Sequence, residues 1–213
     1  MGVPVLILGA SGAGKTASLR NFKKGEIGVF NVANKLLPFK SDIVVVNTRD
    51  YRAITKGVVQ CSAPSVAIDD SQYLMVFEEF DRAKETGYGK FTDMAQNFYS
   101  LVQAVIFNAP PEKIVYFLHH TEIDESGRVK AKTVGKMIDS KLTLEGLFSI
   151  VLLAGTDGQN HWFETQSDGY TTCKTPMGLF EEKRIDNDLK AVDSAIREFY
   201  NIGGRKDCYA KTE

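Results

Sequence analysis

The sequence predicts an α/β fold: a mostly parallel sheet flanked by helices, with an antiparallel hairpin near the C-terminus. Three observations carry this. Short, continuous apolar runs recur between Val3 and Leu153, as strands covered on both faces require. Helical patterns separate them, the alternation that builds parallel sheets through crossover helices. After Leu153 the character changes to two short polar-apolar runs around Ser167-Asp168-Gly169, the signature of a hairpin.

In chain order, the expected strands are Val3–Leu8, Ile27–Val32, Ile43–Val46, Ser65–Ile68, Ile114–Leu118 and Phe148–Leu153. A short helix is expected over Ala17–Phe22, and a weak helical pattern covers Asp50–Val59. Asn31–Ser41, with Pro38, reads as a loop. Gln72–Lys84 predicts a helix and Glu85–Lys90 a glycine-punctuated loop. Phe91–Asn108 is the best helical run, placing Met94, Phe98, Leu101, Val102, Val105 and Ile106 on one face before Pro110-Pro111. Thr121–Thr133 reads as a polar loop and Gly135–Leu142 as a short helix. His161–Thr165 and Tyr170–Lys174 are the expected hairpin. Asp188–Tyr200 is a C-terminal helix stopped by Gly203-Gly204. Residues 1–204 thus form one domain, and 205–213 a polar tail.

Between the first strand and the first helix stands Gly9-Ala10-Ser11-Gly12-Ala13-Gly14-Lys15-Thr16, followed by Ala17. It fills every specified position of G-x-x-x-x-G-K-[ST], the P-loop. Three glycines let backbone N–H groups wrap phosphate oxygens at a helix N-terminus. Lys15 can reach the β- and γ-phosphates, and the Thr16 hydroxyl can ligate Mg²⁺. A second strand must hold the metal from the other side. Val66-Ala67-Ile68-Asp69-Asp70 ends in carboxylates as a Walker B segment does. Asp69 is the metal-side acid; Asp70 is a candidate to activate water, or with Ser71 a helix cap. His119, with His120 beside it, ends the next core strand, where a neutral imidazole can sense a γ-phosphate; two surface histidines at a strand end are the plain alternative.

The bulk properties narrow the classes. The apolar fraction of 43% supports a substantial core, and a net charge of −1 confines any nucleic-acid site to a local patch. Three scattered cysteines make neither a metal spacing nor a disulfide framework, so a reducing compartment is expected. The chain enters a strand at once and has no run of ~20 apolar residues, so the expectation is a soluble, cytoplasmic protein without a membrane partner. Asn47-Thr48-Arg49-Asp50 only loosely echoes a guanine-reading motif and precedes the Walker B strand, which favours ATP. The stretch after His120 holds Arg128 as its only arginine, which weakens a nucleotide-kinase reading.

With these pieces in place, the chain resembles RecA-type core ATPases, and more narrowly the short phage-encoded nucleotide-binding proteins described as AAA-family ATPases, some of which are single-strand annealing or recombination proteins. Four stretches carry the resemblance: GASGAGKT (9–16), SVAIDDSQYL (65–74), KTVGKMID with LTLEGLFSIVL (132–139, 142–152), and FETQSDGYTTCKTPMG (163–178). The resemblance implies ATP and Mg²⁺ at Gly9–Thr16 with Asp69, a P-loop strand beside the strand ending at His119, and hydrolysis that depends on assembly or DNA. It implies two mobile loops for single-stranded DNA. One offers Tyr88, Lys90 and Phe91; the other Arg128, Lys130, Lys132 and Lys136, cations for phosphates and aromatic faces for bases. Lys174 stands where related proteins carry a cationic finger for the neighbouring subunit's ATP, although Pro176 replaces the expected arginine. The catalytic glutamate that RecA-like enzymes place after the second strand is missing from Phe30–Asn34, so either Asp70 takes its task or hydrolysis is slow and ATP acts mainly as a switch. The implied protein is a homo-oligomeric ring or filament acting on single-stranded DNA, with a single-strand-binding protein as a possible partner, in the host cytoplasm if phage-encoded. Phage DNA packaging or replication support is the alternative role.

Overall fold

The P-loop strand β1 (Val3–Gly9) runs through the middle of the sheet, between β5 (Ile114–Ile123) and β7 (Ile150–Thr156), parallel to both. The computed structural model describes residues 1–134 and 143–203. The expected helix Gly135–Leu142, with Lys136, and the polar tail 205–213 lie outside the described residues. On the other side of β5 come β4 (Ser65–Asp69), β2 (Ile27–Asn31) and β3 (Val44–Asn47), all parallel. β8 (His161–Glu164) and β9 (Arg184–Asp186) extend the β7 side antiparallel, giving the order β3-β2-β4-β5-β1-β7-β8-β9.

Strand alternation sends each sheet face into its own core. Leu6, Leu8, Val66, Ile68, Val115 and Phe117 pack beneath α1 (Tyr51–Gln60), α2 (Tyr73–Asp81) and α3 (Gly89–Asn108). Val5, Ile7, Ala67, Tyr116 and Leu118 pack against Leu19, Phe22 and α4 (Leu189–Phe199). A fully buried Leu, Ile or Phe contributes about 1.5–3 kcal/mol relative to exposure, so a slip of one residue in β1 would misplace both cores. Asp50 caps α1 by accepting from the N–H groups of Arg52 and Ala53, and Asp188 caps α4 through those of Lys190 and Ala191. Among the described residues, no helix is long and apolar enough to cross a membrane.

Two expectations need correction. β5 does not stop at Leu118. It continues to Ile123, and the expected polar loop is a hairpin in which Thr121–Ile123 pair with β6 (Val129–Ala131). Asp124 closes its turn by accepting from Ser126 N–H and Arg128 N–H. Residues 170–174 form no strand; Thr171 and Lys174 make only isolated bridges, to Val129 and Val151, and β8 pairs with β9 instead. The short helix expected over Ala17–Phe22 is a single six-residue 3-10 helix, Thr16–Asn21.

Candidate functional site

The parallel strands end along one edge, where Gly9 lies beside His120, and Asp69 leaves β4 on the far side of β5. Chain ends of parallel strands are where α/β sheets bind ligands. The P-loop turns there with Gly12 at φ 82° and Gly14 at φ 94°, a backbone region that L side chains rarely adopt. A side chain at Gly14 would also come within 2.9 Å of His161 Nδ1, so the loop is wedged against the antiparallel edge of the sheet. A cavity of about 340 Å³ opens above it, lined by Ser11, Gly12, Gly14, Lys15, Thr16 and Ala17 from the loop, Asp69 at the end of β4 and Asp70 just after it, and Lys35, His120 and His161.

Lys15 is buried and donates to the carbonyls of Gly9 at 2.7 Å and Ala10 at 3.0 Å. Burial pulls its ammonium down to about 8, against the opposing charges of Asp70 and Asp69. Thr16 Oγ1 donates to Asp69, 2.9 Å from Oδ1 and 3.1 Å from Oδ2. Burial, with the charge of Asp70, pushes Asp69 up to about 6, while the Thr16 bond partly offsets this. The hydroxyl and carboxylate expected to hold a metal therefore converge across 53 positions of sequence. Two hard oxygen ligands with room for waters fit Mg²⁺, which keeps several waters and takes few protein ligands. Backbone N–H groups and a buried ammonium fit the phosphates. Ala13 completes the loop, its carbonyl accepting from His161 Nδ1–H at 3.2 Å.

Asp70 is at the site but not as a free base. It sits at φ 57° in the left-handed region and both its oxygens are taken: Lys35 Nζ donates to Oδ2 at 2.7 Å and His120 Nε2 to Oδ1 at 3.0 Å. Burial would raise its pKa, but these two bonds outweigh that and leave it at about 2, too weak a base to activate water. His119 is not a phosphate sensor. Its ring is fully buried beside Phe98, with Nε2 donating to the Lys132 carbonyl at 2.8 Å and Nδ1 facing Ser71 Oγ at 3.0 Å. Desolvation drives its pKa down to about 3, so it is neutral. The cause is strand parity: His119 shares a face with Phe117, whereas His120 shares one with Leu118, on the side where the P-loop packs.

Lys35, His120 and His161 are thus site residues beyond those assigned from sequence. Strand alternation could have separated His120 from His119, given the register of β5 on β1. No sequence signal marks Lys35, which reaches Asp70 across 35 positions.

Of the residues expected at DNA, Tyr88 is 81% exposed, and Lys90 lies 5.1 Å from the Phe91 ring centre. Arg128 is exposed in the hairpin turn, Lys130 pairs with Glu122 at 3.1 Å, and the Lys132 side chain is exposed. Lys174 is exposed, its backbone is paired to Val151, and it is not among the residues lining the cavity.

No family model matches the sequence, and no curated protein is significantly similar. Among solved structures, that of the pilus retraction motor PilT with bound ADP is similar at 9% identity and a TM-score of 0.36, over 93% of this chain and 52% of that one. The chain thus spans about half the length of PilT. Its own sheet order and glycine loop define it as an α/β P-loop NTPase fold with a RecA-like, mostly parallel sheet flanked by helices and an antiparallel C-terminal edge.

Proposed function

We propose that this protein binds ATP with Mg²⁺ at the Lys15–Asp69 cavity, hydrolyses it slowly, and acts on single-stranded DNA in recombination or annealing as a homo-oligomer. The observation that carries the nucleotide reading is the Thr16–Asp69 pair, which joins the P-loop to the Walker B strand. Lys15 would exchange the Gly9 and Ala10 carbonyls for phosphate oxygens, and Thr16 with Asp69 would hold the metal. Bound Mg²⁺ supplies neutralisation of phosphate charge. Slow hydrolysis follows from what the chain lacks and what it ties up. No carboxylate follows β2 between Asn31 and Asn34, and Asp70 is held by two partners. Lys174, exposed and not among the residues lining its own cavity, is assigned to a neighbouring subunit.

Two features favour the DNA reading. The β5–β6 hairpin leaves the sheet just beyond the His120–Gly9 row. α3 passes Phe98 against His119 and Val105 beside Gly2, so its first turn, with Lys90 and Phe91, also lies at the P-loop edge. Cations and aromatics beside a nucleotide site suit a single strand whose binding responds to nucleotide. The test is ATP turnover and retention of a labelled oligonucleotide, for wild type and Lys15→Ala. DNA binding that requires ATP and Mg²⁺ and is lost in Lys15→Ala is expected. Binding that ignores nucleotide, or is absent, overturns the DNA reading.

A further inference from the structure

The cavity holds a cation that the P-loop pattern does not account for. Two side-chain ammoniums line it among the described residues: Lys15, from the P-loop, and Lys35, from the loop between β2 and β3. Lys35 is anchored at its root by the backbone, and its head is held by a single carboxylate. Asn31, buried at the end of β2, donates from Nδ2 to the Lys35 carbonyl at 2.5 Å and accepts from the Lys35 N–H at 3.3 Å. Asn34, at φ 54°, turns the chain between them. The Lys35 side chain is 59% exposed, whereas that of its partner Asp70 is 9% exposed. Its ammonium rests on Asp70 at 2.7 Å and lies 5.1 Å from the Tyr73 ring centre.

We propose that Lys35 is the second phosphate-binding cation of this site, one that distinguishes a nucleoside triphosphate from a diphosphate by moving from Asp70 to the terminal phosphate. This rests on the nucleotide reading above. The chemistry is a contest between two anions for one ammonium. In the protein without nucleotide, Lys35 neutralises Asp70. A terminal phosphate brings a further negative charge into the same cavity, next to a carboxylate that would otherwise repel it. Moving Lys35 places a cation between the two anions, while His120 still donates to Asp70 Oδ1. A lysine suits this exchange, because its point charge sits on a flexible stem and keeps its strength over several geometries. A diphosphate does not bring that charge, so Lys35 stays on Asp70. The loop from Val32 to Asp42, with Leu36 97% exposed beside Lys35, would then report which nucleotide is bound.

The experiment is calorimetric titration of Mg²⁺·AMP-PNP and of Mg²⁺·ADP into wild type, Lys35→Ala, Lys35→Arg and Lys15→Ala. Lys35→Ala is expected to weaken AMP-PNP binding roughly ten- to a hundredfold, the range for one charge-assisted hydrogen bond, with ADP affinity unchanged. Lys35→Arg restores most of the loss. Equal affinities of Lys35→Ala and wild type for both nucleotides would overturn the proposal. So would an equal loss for both, which would make Lys35 a support for the loop and not a phosphate contact. Failure of wild type to bind either nucleotide removes the nucleotide reading itself and this proposal with it, whereas the first two failures leave that reading standing.

Discussion

Two buried carboxylate clusters lie at opposite ends of the same sheet, and they are finished to different degrees. At the start of the strands, Asp193 of α4 is satisfied by the protein alone. Tyr116 OH donates to Oδ2 at 2.9 Å, Ser65 Oγ to the same oxygen at 2.5 Å, and Arg197 Nε to Oδ1 at 2.7 Å. Arg197 also donates to the carbonyls of Glu112 and Pro64, pinning the helix to the strand starts. At the strand ends, Asp69 receives the Thr16 hydroxyl hydrogen and the Asp70 N–H but no cation, and has a second carboxylate next to it. Both acids are nearly inaccessible, at 3% and 5% exposure, so burial does not separate them. Completeness does. A saturated network fixes structure, and an underserved one waits for a ligand.

The comparison is broken most forcefully at Asp193. Asp193→Ala strands Arg197 and two buried hydroxyls and should cost about 3–5 kcal/mol in denaturant unfolding. Asp69→Asn should cost no stability, since it removes a repelled, desolvated charge beside Asp70. Its ATP turnover should instead fall at least about a hundredfold, about 2.7 kcal/mol of barrier. If Asp69→Asn unfolds the protein as Asp193→Ala does, the two ends do not differ in kind.

His119 sharpens the contrast, because it is a saturated polar group standing one residue from the site. It stays neutral down to about pH 3, whereas an unfolded histidine takes a proton near 6.5. The unfolded state therefore binds more protons as pH falls below about 6.5, and stability falls with it, by up to about 1.4 kcal/mol per pH unit. Asp69, pushed up to about 6, contributes with the opposite sign below that pH, so the share of His119 is the difference between two proteins. Between pH 7 and 5, wild type should lose more stability than His119→Gln, which can still donate to the Lys132 carbonyl. An unchanged slope would mean that His119 is not the group responsible.

The smallest effect is expected on the hairpin. Arg128→Ala should weaken single-stranded DNA binding and reduce the magnitude of its log–log salt slope by roughly 0.7, the value for one phosphate contact. An unchanged slope would take Arg128 off the DNA path.

What could be read without coordinates follows the same division. Val3–Gly9, Ser65–Asp69 and the face of α3 were legible because apolar period and P-loop spacing are local properties, and the Thr16–Asp69 pair follows from them. The β5–β6 hairpin was not, because Thr121–Ile123 and Val129–Ala131 are short and polar and become strands only by pairing with each other. Lys174 was misread as a strand residue because residues 170–174 alternate like one, although β9 takes the neighbouring edge. The Lys35–Asp70–His120 contact was invisible for a different reason. It joins a loop, the residue after β4 and the middle of β5, whose proximity is set by sheet order, and although Asp70 belongs to the Walker B segment no local pattern marks Lys35 as its partner.

The central claim is that the strand-end cluster is completed by a metal-bound triphosphate. The most direct test is binding of AMP-PNP, followed by calorimetry with and without Mg²⁺, in wild type and Asp69→Asn. The account predicts tight binding in wild type that weakens at least about tenfold when Mg²⁺ is removed, and an Asp69→Asn protein that is folded but gains little from the metal. Wild-type binding that is indifferent to Mg²⁺, or an Asp69→Asn protein that responds to it as wild type does, would contradict it.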